Sequence, residues 1–152
     1  HTTRMKLDHE CRVQIQKGSV VDLGKVVHYH FDKVVHNKEP KSSAENNFYV
    51  LREGQPYEVD EDDFPMARAR PTWVSNEESS ENIQNEIALY ADGAKENNTI
   101  GRSNRRDIQI KLKAVSADHC SIKYTGDHGW TVTEAGKDRP SSNGTYIFLK
   151  TL

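Results

Sequence analysis

The chain alternates apolar and polar positions in short runs. Val13 and Ile15 alternate with Gln14 and Gln16, and Val27, Tyr29 and Phe31 alternate with His28, His30 and Asp32. A period of two puts successive side chains on opposite faces of a strand. Segments 12–16, 20–23 and 26–33 therefore read as strands, with Lys17-Gly18-Ser19 as a tight turn. Further along, 86–90, 98–102, 107–110, 120–124, 130–134 and 146–149 read the same way, and the breaks between them are rich in Gly, Asn and Asp. No stretch of useful length has the 3.6-residue period of a helix. Strands recurring every ~8 to 12 residues predict an all-β sandwich.

Between these two regions the alternation stops. Residues 37–82 hold four of the five prolines and eleven acidic against five basic residues, a net of −6 in a chain whose total is −2. The run Val59-Asp60-Glu61-Asp62-Asp63 and the Ser/Glu/Asn stretch 75–82 have too little apolar surface to offset their ordering entropy. A partly disordered acidic linker over 37–83 is expected. Phe48, Tyr49, Val50, Leu51, Tyr57, Phe64, Met66 and Trp73 are too many for a pure tether, so one or two local contacts are expected within otherwise coiled chain.

At 152 residues and 34% hydrophobic content there is material for one modest core. No apolar run approaches the ~20 residues that span a bilayer, and no charged start leads into an apolar stretch as in a secretory signal. Membrane insertion is not expected. Cys11 and Cys120 are too few and too far apart for a disulfide framework or a Cys-rich zinc site, which fits a reducing, intracellular setting, cytoplasmic or nuclear. The net charge of −2 argues against nucleic-acid binding. The start at His1 reads as that of a fragment.

Specific residues then carry a resemblance. Ile100-Gly101-Arg102-Ser103, Asp107-Ile108-Gln109-Ile110, Val115-Ser116-Ala117-Asp118-His119-Cys120 and Ser141-Ser142-Asn143-Gly144-Thr145-Tyr146 resemble the forkhead-associated (FHA) domain in order and spacing. That family's signature is a Gly-Arg pair, an aspartate opening the next strand, Ser-x-x-His nine residues after it, and an Asn-Gly-(Thr) turn. Asp107 and Ser116 are nine residues apart, and all four motifs fall in register over 45 residues.

The resemblance implies a β-sandwich of about eleven strands whose loops, at one end, recognise phosphothreonine on a partner protein. A phosphate carries about −1.5 to −2 charges, so its receptor needs a fork-shaped cation with hydroxyl and amide donors. By the resemblance Arg102 pairs with the phosphate, Ser116 donates its hydroxyl to it, and Asn143 bonds the peptide backbone. Ser142, where many members carry threonine, adds a donor. Asn104 and Arg105 lie in the loop that commonly touches the ligand's flanks, with Arg106 beside them. Ala117 stands where members often have a larger, peptide-contacting residue. His119 holds the binding loop, and Gly101 and Gly144 are turn positions. The implied module is part of a larger signalling or scaffold protein and uses no cofactor. The alternative is a phosphate-independent interaction or assembly domain, with Arg102 in a surface ion pair.

The family's strands are out of their usual order. After the Asn-Gly turn three or four strands are missing, while Val13 to Gly24 followed by Val27-His28-Tyr29-His30-Phe31 resembles the family's C-terminal end, with Ser19 in place of the usual aspartate. Residues 5–36 thus resemble the C-terminal strands, and 84–152 the N-terminal half with the phosphate-binding loops. Three explanations stay open: a tandem array of domains, a circular permutation, or a homodimer with swapped halves. Completion of one sandwich by the N-terminal segment is favoured, because loop-closure entropy grows by only ~0.6 kcal/mol per doubling of loop length.

Two further clusters carry less. Ser116, Asp118 and His119 lie within four residues and no Gly-x-Ser-x-Gly elbow is present, so no catalytic group is assigned and the chain is read as not an enzyme. His28, His30 and the nearby His36 could ligate zinc, yet Val27, Tyr29 and Phe31 form the core-facing row of the same strand, so the histidines are expected to face water and no metal is assigned.

Overall fold

The computed structural model describes residues 3–36, 65–76, 86–91, 97–135 and 140–149. Among them the chain forms only strands: β1 (Thr3–Lys6), β2 (Val13–Gln14), β3 (Val20–Leu23), β4 (Val27–Val35), β5 (Met66–Val74), β6 (Ile87–Tyr90), β7 (Asn97–Gly101), β8 (Ile108–Gln109), β9 (Cys120–Thr125), β10 (Gly129–Glu134) and β11 (Thr145–Leu149). They build a six-stranded sheet in the order β1-β11-β3-β4-β5-β6 and a five-stranded sheet in the order β2-β10-β9-β7-β8. Every pairing is antiparallel except β7 with β8. This is the all-β sandwich that the alternation and the resemblance imply.

The inner faces follow from the period of two. Val21, Leu23, Tyr29, Phe31, Ala67 and Ala69 come from one sheet, and Ile100, Ile122, Trp130 and Val132 from the other, all buried. Each large apolar side chain removed from water contributes about 1.5–3 kcal/mol. Trp130 also has a polar handle, donating its indole N–H to the Val35 carbonyl at 3.2 Å.

The first 35 residues and the last 53 meet inside both sheets. β3 runs against β11 with Val21 opposite Ile147, β1 runs along the other side of β11, and β2 pairs with β10 with Val13 opposite Val132. In the six-stranded sheet β3 and β4 are the strands that join β11 to β5.

One expectation is corrected. Residues 66–74, read as part of an acidic linker over 37–83, form the nine-residue strand β5, hydrogen-bonded between β4 and β6. Its inward residues are Ala67 and Ala69, alternating with Arg68 and Arg70, so its apolar signal is weak. Pro71 lies beyond the reach of β6, which pairs only with residues 66–69, so its missing N–H leaves no ladder bond to β6 unmade. The register shift between His28 and Tyr29 falls beside it. The acidic run 59–63 and the rest of 37–64 lie outside the described residues.

Cys11 is exposed, Cys120 is buried, and both are free. No helix among the described residues is long and apolar enough to cross a membrane.

Candidate functional site

The loop after β7 is shaped by what holds its two ends. Asp107 accepts the backbone N–H of Thr99 at 2.8 Å and the Thr99 hydroxyl at 2.9 Å, while its own N–H donates to Thr99 Oγ1 at 3.1 Å. Gln109 donates its side-chain amide to the Arg102 carbonyl at 3.0 Å, and Ile110 donates its N–H to the Gly101 carbonyl at 2.8 Å. Residues 102–106 are thus clamped between two strands. Gly101 is the buried last residue of β7 rather than a turn residue. Its lack of a side chain is used for close approach, because a Cβ there would collide with the Ala117 carbonyl oxygen.

That approach joins the β7–β8 loop to the loop between β8 and β9. Arg102 donates its N–H to the Ser116 carbonyl at 2.8 Å, and Ser103 donates to the Ala117 carbonyl at 3.3 Å. His119 then ties in the loop before β11. The Ser116 N–H donates to Nδ1 at 3.0 Å, so Nδ1 must carry a lone pair and the neutral ring holds its proton on Nε2, which donates to the Gly144 carbonyl at 2.8 Å. Burial lowers the His119 pKa from its ordinary value, against the opposing pull of the Gly144 carbonyl and of Glu134, Asp22 and Asp118. The ring's role as the brace of the loop is thus expressed in two bonds.

Behind His119, buried Glu134 accepts the Ser141 hydroxyl at 2.8 Å and the Ala135 N–H at 3.0 Å, anchoring the segment that carries Ser142, Asn143 and Gly144. Asn143 donates its amide to the Ala114 carbonyl at 2.9 Å, and Ser142 donates its backbone N–H to Ser116 Oγ at 2.9 Å. The Ser116 oxygen is therefore used as an acceptor, and its hydroxyl hydrogen remains available to a further acceptor.

Among the residues named from sequence, Arg102, Ser116, Ala117, Ser142 and Asn143 meet through these bonds at one end of the sandwich. Asn104 and Arg105 are exposed in the clamped loop, with the Arg105 N–H on Ser103 Oγ at 3.1 Å. Arg106 Nη1 lies 3.4 Å from Asp118 Oδ1. Arg102 is exposed, and among the described residues its guanidinium has no carboxylate partner. Chemically the arrangement offers two exposed guanidinium groups without a carboxylate among the described residues, Arg102 and Arg105, with one hydroxyl and one amide on loops fixed by strands, all of them groups able to hydrogen-bond an anion.

Sequence reasoning missed Thr99, Gln109, Glu134 and Ser141, which shape the loops. Glu134 carried no signal in the sequence, because the burial of all six residues of β10 appears only in the structure. It also missed that the β3–β4 turn joins this end of the sandwich: Gly24 donates its N–H to the Gly144 carbonyl at 2.8 Å. His28 does not simply face water. Its ring packs on Trp73 and Phe148 at 4.6 and 4.8 Å between centroids, with Nε2 2.8 Å from Asp22 Oδ2. No group of three His, Cys, Asp or Glu among the described residues could hold a metal ion.

No curated protein and no solved structure matches the chain. Residues 98–150, which hold every side chain of the site just described, match the family model of the FHA domain, a phosphopeptide-binding protein-interaction module.

Proposed function

We propose that this chain recognises phosphothreonine in a partner protein, with Arg102 and Ser116 on the phosphate and Asn143 and Ser142 on the adjoining peptide, while Asn104, Arg105 and Ala117 face the ligand's flanks. One observation carries the reading: the exposed Arg102 guanidinium has no carboxylate among the described residues, while the Arg102 backbone N–H is bonded to the carbonyl of Ser116, a residue whose hydroxyl hydrogen is available. An arginine kept for a surface ion pair would be expected beside an acid, as Arg106 is beside Asp118. The module is intracellular and belongs to a larger signalling or scaffold protein.

The test is fluorescence anisotropy with one peptide in phosphothreonine, phosphoserine and unphosphorylated forms. Phosphothreonine should bind, and the unphosphorylated peptide should bind far more weakly or not at all. If binding survives Arg102→Ala and Ser116→Ala unchanged with the fold intact, the phosphate-independent interaction domain is the better account.

We further propose that residues 5–36 serve as the C-terminal strands of an FHA sandwich and 84–152 as its N-terminal half, closed within one chain rather than swapped or in tandem. The pairing of β3 with β11 and of β2 with β10 supports it. Residues 84–152 alone should not form a stable monomer, and adding segment 1–36 should rescue them. Cooperative, monomeric unfolding of the isolated second half would sink this reading.

A further inference from the structure

The β3–β4 turn has an unexpected residue at its tip. Val26 donates its N–H to the Leu23 carbonyl at 3.2 Å, closing a turn whose central residues, Gly24 and Lys25, both have positive φ, 66° and 62°. Lys25 is the one non-glycine residue with positive φ among the described residues. Glycine would take this conformation with less strain. What holds Lys25 there is Asp22, whose Oδ1 accepts the Lys25 N–H at 2.8 Å.

The turn is packed onto the candidate site. Besides the bond to the Gly144 carbonyl, Gly24 comes so close to the Ala114 carbonyl that a Cβ would sit 2.7 Å from its oxygen, and that same oxygen accepts the Asn143 amide. Lys25 thus stands on the Asn143 side of the site, with Arg102 on the other loop. It is exposed, and its Nζ lies 5.5 Å from the centroid of the Tyr146 ring. Lys6 reaches the same place, since a Cβ on Gly144 would lie 3.2 Å from Lys6 Cε. Neither ammonium has a carboxylate partner among the described residues, whereas Arg4, over the same ring at 5.2 Å, has Asp22 at 3.9 Å. All three cations lie outside the FHA-matching segment 98–150.

From this geometry we infer that Lys25, seconded by Lys6, selects phosphothreonine peptides carrying an acidic side chain on the stretch that passes Asn143. The inference rests on the phosphothreonine reading above and adds the class of sequence that reading left open. A carboxylate on that stretch meets two uncommitted ammonium groups, and a lysine there meets repulsion. The cation is placed by a backbone conformation that a plain turn would give to glycine.

The experiment walks a single Glu, and in a parallel series a single Lys, through the positions on both sides of phosphothreonine in an otherwise neutral peptide. Affinities are measured by anisotropy at low ionic strength. At the most responsive position the wild-type chain should prefer Glu over Lys by about two- to fivefold, the range of an exposed ion pair, and added salt should shrink the ratio. Lys25→Gly should lower that ratio while leaving the neutral phosphopeptide bound and the thermal midpoint equal or higher, because glycine relieves the positive φ. Lys25→Glu should reverse the preference. Equal ratios in wild type and Lys25→Gly, or no preference at any position, would overturn the assignment while the phosphothreonine reading stands. Failure of the wild type to bind any phosphopeptide in either series would overturn both.

Discussion

The arginines of the outer sheet face and those of the β7–β8 loop are chemically alike and differently employed. Arg68 and Arg70, neighbours on β5, share Asp32: Arg68 Nε donates to Oδ1 at 3.1 Å, Arg70 Nε lies 3.3 Å from Oδ2, and Arg70 also faces Glu86 at 3.7 Å. Arg102 and Arg105 stand on a loop clamped at both ends, and neither has a carboxylate among the described residues. On β5 the cations complete the surface of a sheet. On the loop, backbone bonds do the structural work and the guanidinium is left over. The difference teaches that an arginine can be left without a carboxylate where backbone bonds already hold its loop.

The strongest way to break the comparison is Arg102→Ala. A charge-assisted hydrogen bond contributes about 1.5–3 kcal/mol, so losing a bidentate contact should weaken phosphothreonine-peptide binding at least about tenfold, with the urea midpoint unchanged. Arg102→Lys sharpens it, restoring charge without the fork and so only part of the affinity.

His119→Asn tests the frame rather than the fork. The Ser116 N–H and the Gly144 carbonyl should lose good partners, at about 1–3 kcal/mol of stability in urea unfolding. The pH profile identifies the group. Because the folded ring has a pKa below its ordinary 6.5, stability from His119 is complete above 6.5 and is lost as pH falls from there through the folded value, as the unfolded chain takes up the proton first. The substituted chain should show a flatter profile over that window.

Ser116→Ala should cost less affinity than Arg102→Ala, since it deletes one neutral donor to a charged acceptor. Smallest of all should be Asp32→Asn, the counterpart on the sheet. The hydrogen bond from Arg68, with the charges of Arg68 and Arg70, holds the Asp32 carboxyl below its ordinary 3.8. Its contribution to stability is therefore present above 3.8 and is lost as pH falls through the lower folded value. A slight fall in the thermal midpoint at neutral pH, closing in acid, with phosphopeptide affinity unchanged, is expected. A change in affinity would mean that the two sets of arginines are coupled.

Much of this was legible in the sequence because the relevant signals are local. β3, β4, β9 and β10 alternate large apolar with polar residues, and the four motifs that carry the resemblance sit within 45 residues. β5 was hidden because Met66 is the single large side chain among its three buried ones, the other two being alanines, and because Pro71 argues against an interior strand. β1, Thr-Arg-Met-Lys, is an edge strand with Arg4, Met5 and Lys6 exposed, so it carries no apolar period. Lys25 and Asn143 are more than a hundred positions apart, and only the pairing of β3 with β11 makes them neighbours.

That edge position of β1 has a mechanical consequence. Thr3 pairs with Leu149 in an antiparallel ladder, so the described chain enters on one strand and leaves on its immediate neighbour, side by side. Antiparallel bonds lie across the strands, and tension applied between residues 3 and 149 would load them one after another, like a zipper, rather than all together in shear. The sandwich should therefore yield at low force from that corner, peeling β1 away before β3, β4 or the β7–β8 loop feels the load, and a single-molecule pulling trace should show a small first step preceding the main unfolding event.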